Sequence, residues 1–111
     1  MAEKRRDPRI PVEESASFTG KSGTRHGTVF NLSVGGCALE SGQPVDPNAT
    51  IQLDLIIPNE KSPVKVGRAR VTWKVGSDMG VQFLNMNETA KIRLQRYLDS
   101  IPVKRSKKDK A

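Results

Sequence analysis

The chain has little from which to build reactive chemistry. Its 111 residues include one cysteine, one histidine, one tryptophan, one tyrosine and three phenylalanines. A single cysteine, Cys37, excludes an internal disulfide and behaves most simply as a small buried hydrophobe. A single histidine, His26, has no neighbour at metal-ligand spacing, and neither a phosphate loop nor a nucleophile elbow is present. An enzyme is therefore not expected, and no metal or cofactor is implied. With 35% hydrophobic and 5% aromatic residues, the core must rest on aliphatic side chains. No apolar run approaches the roughly 18 residues that span a bilayer, so membrane insertion is not expected. The basic start, Met1 to Arg6, is followed by no apolar stretch and so does not read as a secretory signal. A cytoplasmic location is expected.

What the chain does have is positive charge, +7 in total. Its placement says more than its sum. Lys4, Arg5, Arg6 and Arg9 crowd one end, and Lys104, Arg105, Lys107, Lys108 and Lys110 the other. The middle is nearly balanced. Such basic ends favour an anionic partner.

The pattern between them is that of short strands. Residues 1–13 read as a flexible arm, since Pro8 and Pro11 bias the preceding residues away from helix. Strands are expected over Ser15–Thr19, Arg25–Leu32 and Cys37–Glu40, with turns at Gly20–Gly23 and Gly35–Gly36. Ile51, Leu53, Leu55 and Ile57 alternate with a period of two. Val64 and Val66 start another alternation, which resumes out of phase as Ala69, Val71, Trp73 and Val75. A β-bulge at Gly67–Arg68 would restore the inward face and bend the strand. Met79–Leu84 is the last strand. Ala90, Leu94, Tyr97, Leu98 and Ile101 are then spaced as one face of a helix, with Asn85 as cap, Glu88 as its reciprocal partner and Pro102 as the limit. These elements predict an all-β domain over residues 14–102. It would be a six-stranded antiparallel barrel with one C-terminal helix across an opening, followed by a basic disordered tail at 103–111.

Two clusters carry the functional reading. Arg5-Arg6-Asp7-Pro8-Arg9 reads R-x-x-x-R, and Asn31-Leu32-Ser33-Val34-Gly35-Gly36 reads N-x-S-x-x-G. In this order and spacing the pair resembles the signature of PilZ domains, bacterial receptors for cyclic di-GMP. The likeness extends to Ala69–Trp73 and Gly80–Phe83, which resemble that family's late hairpin. The resemblance implies a six-stranded barrel followed by a helix, and a site formed by Arg5, Arg9, Asn31, Ser33 and Gly36. Lys4, Arg6, Gly35, Arg70 and Trp73 are candidates for auxiliary contacts. The chemistry is consistent with this. A guanidinium fork pairs bidentately with phosphate, matches guanine O6 and N7, and stacks on purine faces. The Asn31 amide oxygen can accept from guanine N1–H or N2–H, Ser33 adds a hydroxyl, and Gly36 lets backbone approach a ligand.

The expectation is a non-enzymatic receptor that rearranges its arm on binding cyclic di-GMP. It would then signal to an unidentified protein partner in motility, biofilm or exopolysaccharide control. The alternative is a small basic barrel that binds RNA or DNA through aromatic platforms. Against it stands the reading that most of Phe18, Phe30, Trp73, Phe83 and Tyr97 belong to the core.

Overall fold

Alternating side chains set the strands, and register shifts between them set the shape. The structure, a computed structural model, describes residues 9–21, 23–58 and 60–101. Six strands run β1 (Ile10–Gly20), β2 (Gly23–Leu32), β3 (Gly36–Glu40), β4 (Thr50–Leu55), β5 (Val64–Val75) and β6 (Asp78–Asn85), followed by α1 (Glu88–Ser100). Every pairing is antiparallel, and the order β1-β2-β3-β6-β5-β4 closes into a barrel when β1 meets β4 from Ala16–Leu55 to Thr19–Gln52. Closure removes the unpaired edges that would otherwise recruit other chains.

The barrel interior is aliphatic, as the composition requires. Leu32, Leu39, Ile51, Leu53, Leu55 and Met79 are fully buried, with Phe18 the one aromatic among them. Cys37 lies in the same core, and burial pushes its thiol up to about 12.

The bulge expected at Gly67–Arg68 is present. Ile51 pairs with Ala69 and Leu53 with Val66, so two β5 residues oppose Gln52 alone. A second bulge was not expected. Val71 pairs with Val81 but Trp73 pairs with Gly80, which leaves Thr72 unopposed. This second slip turns Trp73 and Val75 outward, at 41% and 70% exposure, whereas simple alternation from Ala69 and Val71 places them inside. Phe30 is likewise 37% exposed. Phe18 in the core, with Phe83 and Tyr97 partly buried against it, makes the core placement hold for most of the five aromatics; Phe30 and Trp73 are the exceptions.

Strand β1 begins at Ile10, well before the expected Ser15, with Ile10 opposite Leu32 and Pro11 opposite Asn31. The prolines that exclude helix leave an extended strand open to the chain. The helix cap also differs. Asn85 is still in β6, opposite Arg68, and the cap is Asn87, whose Oδ1 accepts from the Ala90 N–H at 2.8 Å. Glu88 thus falls in the first turn, where its charge complements the helix dipole.

Helix α1 covers the mouth formed by the starts of β1, β3 and β5 and the ends of β2, β4 and β6. Its stripe of Ala90, Leu94 and Leu98 enters the core. Each leucine contributes about 1.5–3 kcal/mol of hydrophobic burial. Arg93 fastens the helix to the β4–β5 loop. Its Nε meets Glu60 at 2.8 Å, and its other nitrogens donate to the Ser62 and Pro63 carbonyls. Tyr97 donates to Glu14 of β1 at 2.5 Å. The opposite mouth has no helix over it; the 41–49 loop lies there.

Candidate functional site

The two sequence clusters meet at the helix-covered mouth. Arg9 and Asn31 are 22 residues apart in sequence, yet Arg9 Nη1 donates to Asn31 Oδ1 at 2.9 Å. Two local features produce this. Pro11 and Asn31 are register partners, so Arg9 precedes β1 beside the end of β2. A bulge then resets β2: Val29 pairs with Leu39 and Asn31 with Ala38, leaving Phe30 unopposed by β3. Across β1, Val12 and Glu13 lie opposite that same Phe30. Val29 and Leu32 stay buried, and Phe30 and Asn31 between them face outward or partly so. Without the extra residue, Asn31 and Leu32 would exchange faces.

The turn after Asn31 is built from the rest of the second cluster. Ser33 N–H donates to the Gly36 carbonyl at 2.8 Å. The Ser33 hydroxyl donates to the same carbonyl at 3.2 Å and accepts from Gly35 N–H at 3.2 Å. Ser33 is 2% exposed. Its hydroxyl proton is therefore committed to the turn, and the side chain is a positioning group rather than a surface donor. Gly35 presents its carbonyl to Phe83 N–H of β6 at 2.9 Å. At Gly36 a Cβ would run into the Val81 carbonyl oxygen. The absent side chain serves the close approach of β3 to β6; the sequence reading had it serving a ligand.

Outside the barrel, Arg70 of β5, Gln82 of β6 and Gly36 of β3 form one row of register partners. Trp73, Gly80, Ala38 and Asn31 form the next. The Trp73 indole lies on the Gly80 backbone, where a Cβ would collide with it. The result is a sheet surface with a small-residue floor at Gly80 and Ala38, Phe30 and Asn31 at one side and Trp73 at the other. Arg70 and Gln82 are exposed beside it. Arg9 adds its charge from the β1 side. That charge reaches Cys37 as a minor effect opposing the larger one of burial. Such a surface presents guanidinium forks, a carboxamide and aromatic faces together, which suits a planar anionic ligand.

Arg9, Asn31, Ser33, Gly35 and Gly36 are thus brought together, with Arg70 and Trp73 further across the same surface. Arg5, Lys4 and Arg6 lie outside the described residues. Gln82 and Phe30 were missed by sequence reading. Gln82 sits two residues past Gly80 on the outward parity of β6 and could have been found from that; Phe30 follows from its alternation with inward Val29, and only Asn31 and Leu32 depend on the bulge.

A cleft of about 360 Å³ lies next to the turn, between Val34, Leu84, Met86 and Lys91. A larger cavity of about 580 Å³ opens at the other mouth, between the β1–β2 hairpin and residues 44–51. Neither holds the Arg9–Asn31 pair, whose polar groups converge on the open sheet surface, and polar convergence is the better guide to a nucleotide site than concavity. Among the described residues no helix is long and apolar enough to cross a membrane, and no cluster of three metal-binding side chains occurs.

The family model described as PilZ domain matches residues 3–100. No curated protein matches by sequence. Solved structures match in fold. The PilZ domain of CeSA from a cellulose-synthesizing bacterium superposes with a TM-score of 0.62 at 16% identity, covering 80% of this chain and 92% of that one. K. pneumonia MrkH in complex with c-di-GMP gives 0.68 at 20% identity, covering 97% and 57%. Escherichia coli YcgR in complex with c-di-GMP gives 0.64 at 19%, covering 96% and 49%. The chain spans about half the length of the latter two. At these identities the likeness establishes the fold.

Proposed function

The chain belongs to the PilZ domain family, and from that premise we propose that it is a receptor for cyclic di-GMP. The observation that carries the reading is the 2.9 Å contact between Arg9 and Asn31. The two clusters supply their recognition groups to one place on the barrel. Two proteins of similar fold, MrkH and YcgR, were solved as complexes with this nucleotide.

Arg9 pairs with a phosphate or with guanine O6 and N7. Asn31 meets a guanine edge through the free lone pair of Oδ1. Ser33, Gly35 and Gly36 hold the turn that fixes Asn31. Arg70, Gln82 and Trp73 extend the contact surface. Arg5, Lys4 and Arg6 add cationic groups from the preceding segment. Ligand binding rearranges that segment and presents a new surface to a protein partner, in control of motility, attachment or exopolysaccharide. The chain acts by binding and catalyses no reaction.

Isothermal titration calorimetry of the full chain with cyclic di-GMP tests this. Saturable binding that Arg9→Ala weakens is the expected result; no heat of binding by the parent chain rejects the assignment.

The outward Phe30 and Trp73 favour a second reading, single-stranded nucleic acid stacked on exposed aromatics. They stand on strands that are not neighbours, which leaves them without a continuous platform. Fluorescence anisotropy with a labelled single-stranded oligonucleotide, competed by cyclic di-GMP, separates the two readings.

A further inference from the structure

We propose that Asn31 sets which nucleobases the site accepts, and that it admits adenine as well as guanine. The inference rests on the cyclic-dinucleotide reading above and deepens it.

A guanidinium has donors only. The contact of Arg9 Nη1 with Asn31 at 2.9 Å therefore fixes which end of the carboxamide faces Arg9: it is the oxygen. Nδ2 and its two hydrogens must point away. The side chain is not free to reverse this at will. Asn31 is partly buried, and its backbone is paired on both sides, with Pro11 and with Ala38. Turning the amide over would set Nδ2 against an Arg9 donor.

The consequence for a base follows from counting donors and acceptors. A carboxylate at this position would offer acceptors alone. It could satisfy Arg9 and still take both N1–H and N2–H of guanine, while repelling the ring nitrogens of adenine. The locked amide offers one remaining lone pair on Oδ1 and two N–H donors. Against guanine, Oδ1 accepts from N1–H while Nδ2–H donates to O6, or Oδ1 accepts from N2–H while Nδ2–H donates to N3. Against adenine, N6–H donates to Oδ1 and Nδ2–H donates to N7. Both groups are satisfied, in the pairing by which carboxamides read adenine. Arg9 keeps its remaining donors for a phosphate or for O6 and N7 of a guanine. A cyclic purine dinucleotide that carries one guanine and one adenine therefore suits the pair as well as one that carries two guanines.

The test is calorimetry of the full chain with cyclic di-GMP and with cyclic GMP–AMP, in the parent and in Asn31→Asp. A melting curve shows whether the variant is folded. The added carboxylate acts on the phosphates of both nucleotides alike, so the ratio of affinities is the readout. The parent should bind the two within about tenfold of each other. Asn31→Asp should widen the ratio in favour of cyclic di-GMP by about tenfold or more, the value of the acceptor–acceptor mismatch that the carboxylate sets against adenine. If the parent binds cyclic di-GMP but prefers it by more than about tenfold, or if Asn31→Asp leaves the ratio unchanged, the inference is overturned and the receptor reading stands. If neither nucleotide binds, both fall.

Discussion

The second sequence cluster divides into two halves that do different work. Ser33 and Gly36 are buried, and their chemistry is used up within the protein: one hydroxyl in a turn, one missing Cβ against β6. Asn31, with Arg9 beside it, lies at the surface, and each holds polar groups in reserve. A short motif is easily read as a set of ligand contacts. Here half of it makes the platform and half stands on it, so substitutions in the two halves should fail in different ways.

Gly36→Ala should show the largest effect. Its Cβ would meet backbone, which cannot swing aside as a side chain can, so β3 and β6 must part. A loss of about 3 kcal/mol in urea unfolding is expected, with ligand binding lost as a consequence. Unchanged stability would mean that the strands yield and that Gly36 belongs with the reading half. Arg9→Ala should do the reverse. Cyclic di-GMP binding should weaken by about 1.5–3 kcal/mol, while stability moves by no more than about 0.5 kcal/mol. Calorimetry and melting on the same sample would expose a coupled loss, and that result would erase the distinction.

Ser33→Ala should fall between these. It removes both turn bonds of the hydroxyl, at a cost of about 1–2 kcal/mol of stability. Affinity should drop only in so far as Asn31 loses its position, so a loss as deep as that of Arg9→Ala would place the hydroxyl on the ligand. The last prediction concerns Cys37, under the same surface, and leaves stability at neutral pH untouched. Its thiol ionises near 9 when unfolded and near 12 when buried. Within that window the unfolded chain has released a proton that the folded one keeps. Stability from this group is therefore full below 9 and is lost as pH rises toward 12. Denaturation of the parent and Cys37→Ala across this range should show the steeper decline in the parent; parallel curves would show the thiol is less shielded.

Much of this was legible in the sequence, and the failures share one cause. The six strands, the Gly67–Arg68 bulge and the inward helix stripe could be read because each leaves a periodic trace. The bulge at Gly67–Arg68 announces itself as a slip between Val66 and Ala69. The one at Thr72 does not, because apolar Val71, Trp73 and Val75 continue in step while their pairing shifts. The β2 bulge is hidden in the same way, because alternation from Val29 finds Phe30 outward but misplaces Asn31 and Leu32 after it. Asn85 and Asn87 are equally good caps on paper, and only the length of β6 decides between them. The pairing of Arg9 with Asn31 leaves no periodic trace at all; the resemblance to a family placed both residues in one site, and the register of β1 on β2 shows how they meet.

The indole resting on Gly80 has an optical consequence. Trp73 is the chain's sole tryptophan and is 41% exposed. It stands three strand spacings from Asn31, about 14 Å across the sheet. Excitation at its absorption edge therefore reports from a single, known position, with an emission shifted toward that of a wetted indole. A purine stacked on the outer face of the indole would displace water from that ring face and quench that emission. The barrel thus carries an intrinsic lamp beside its proposed binding surface, readable without any attached dye.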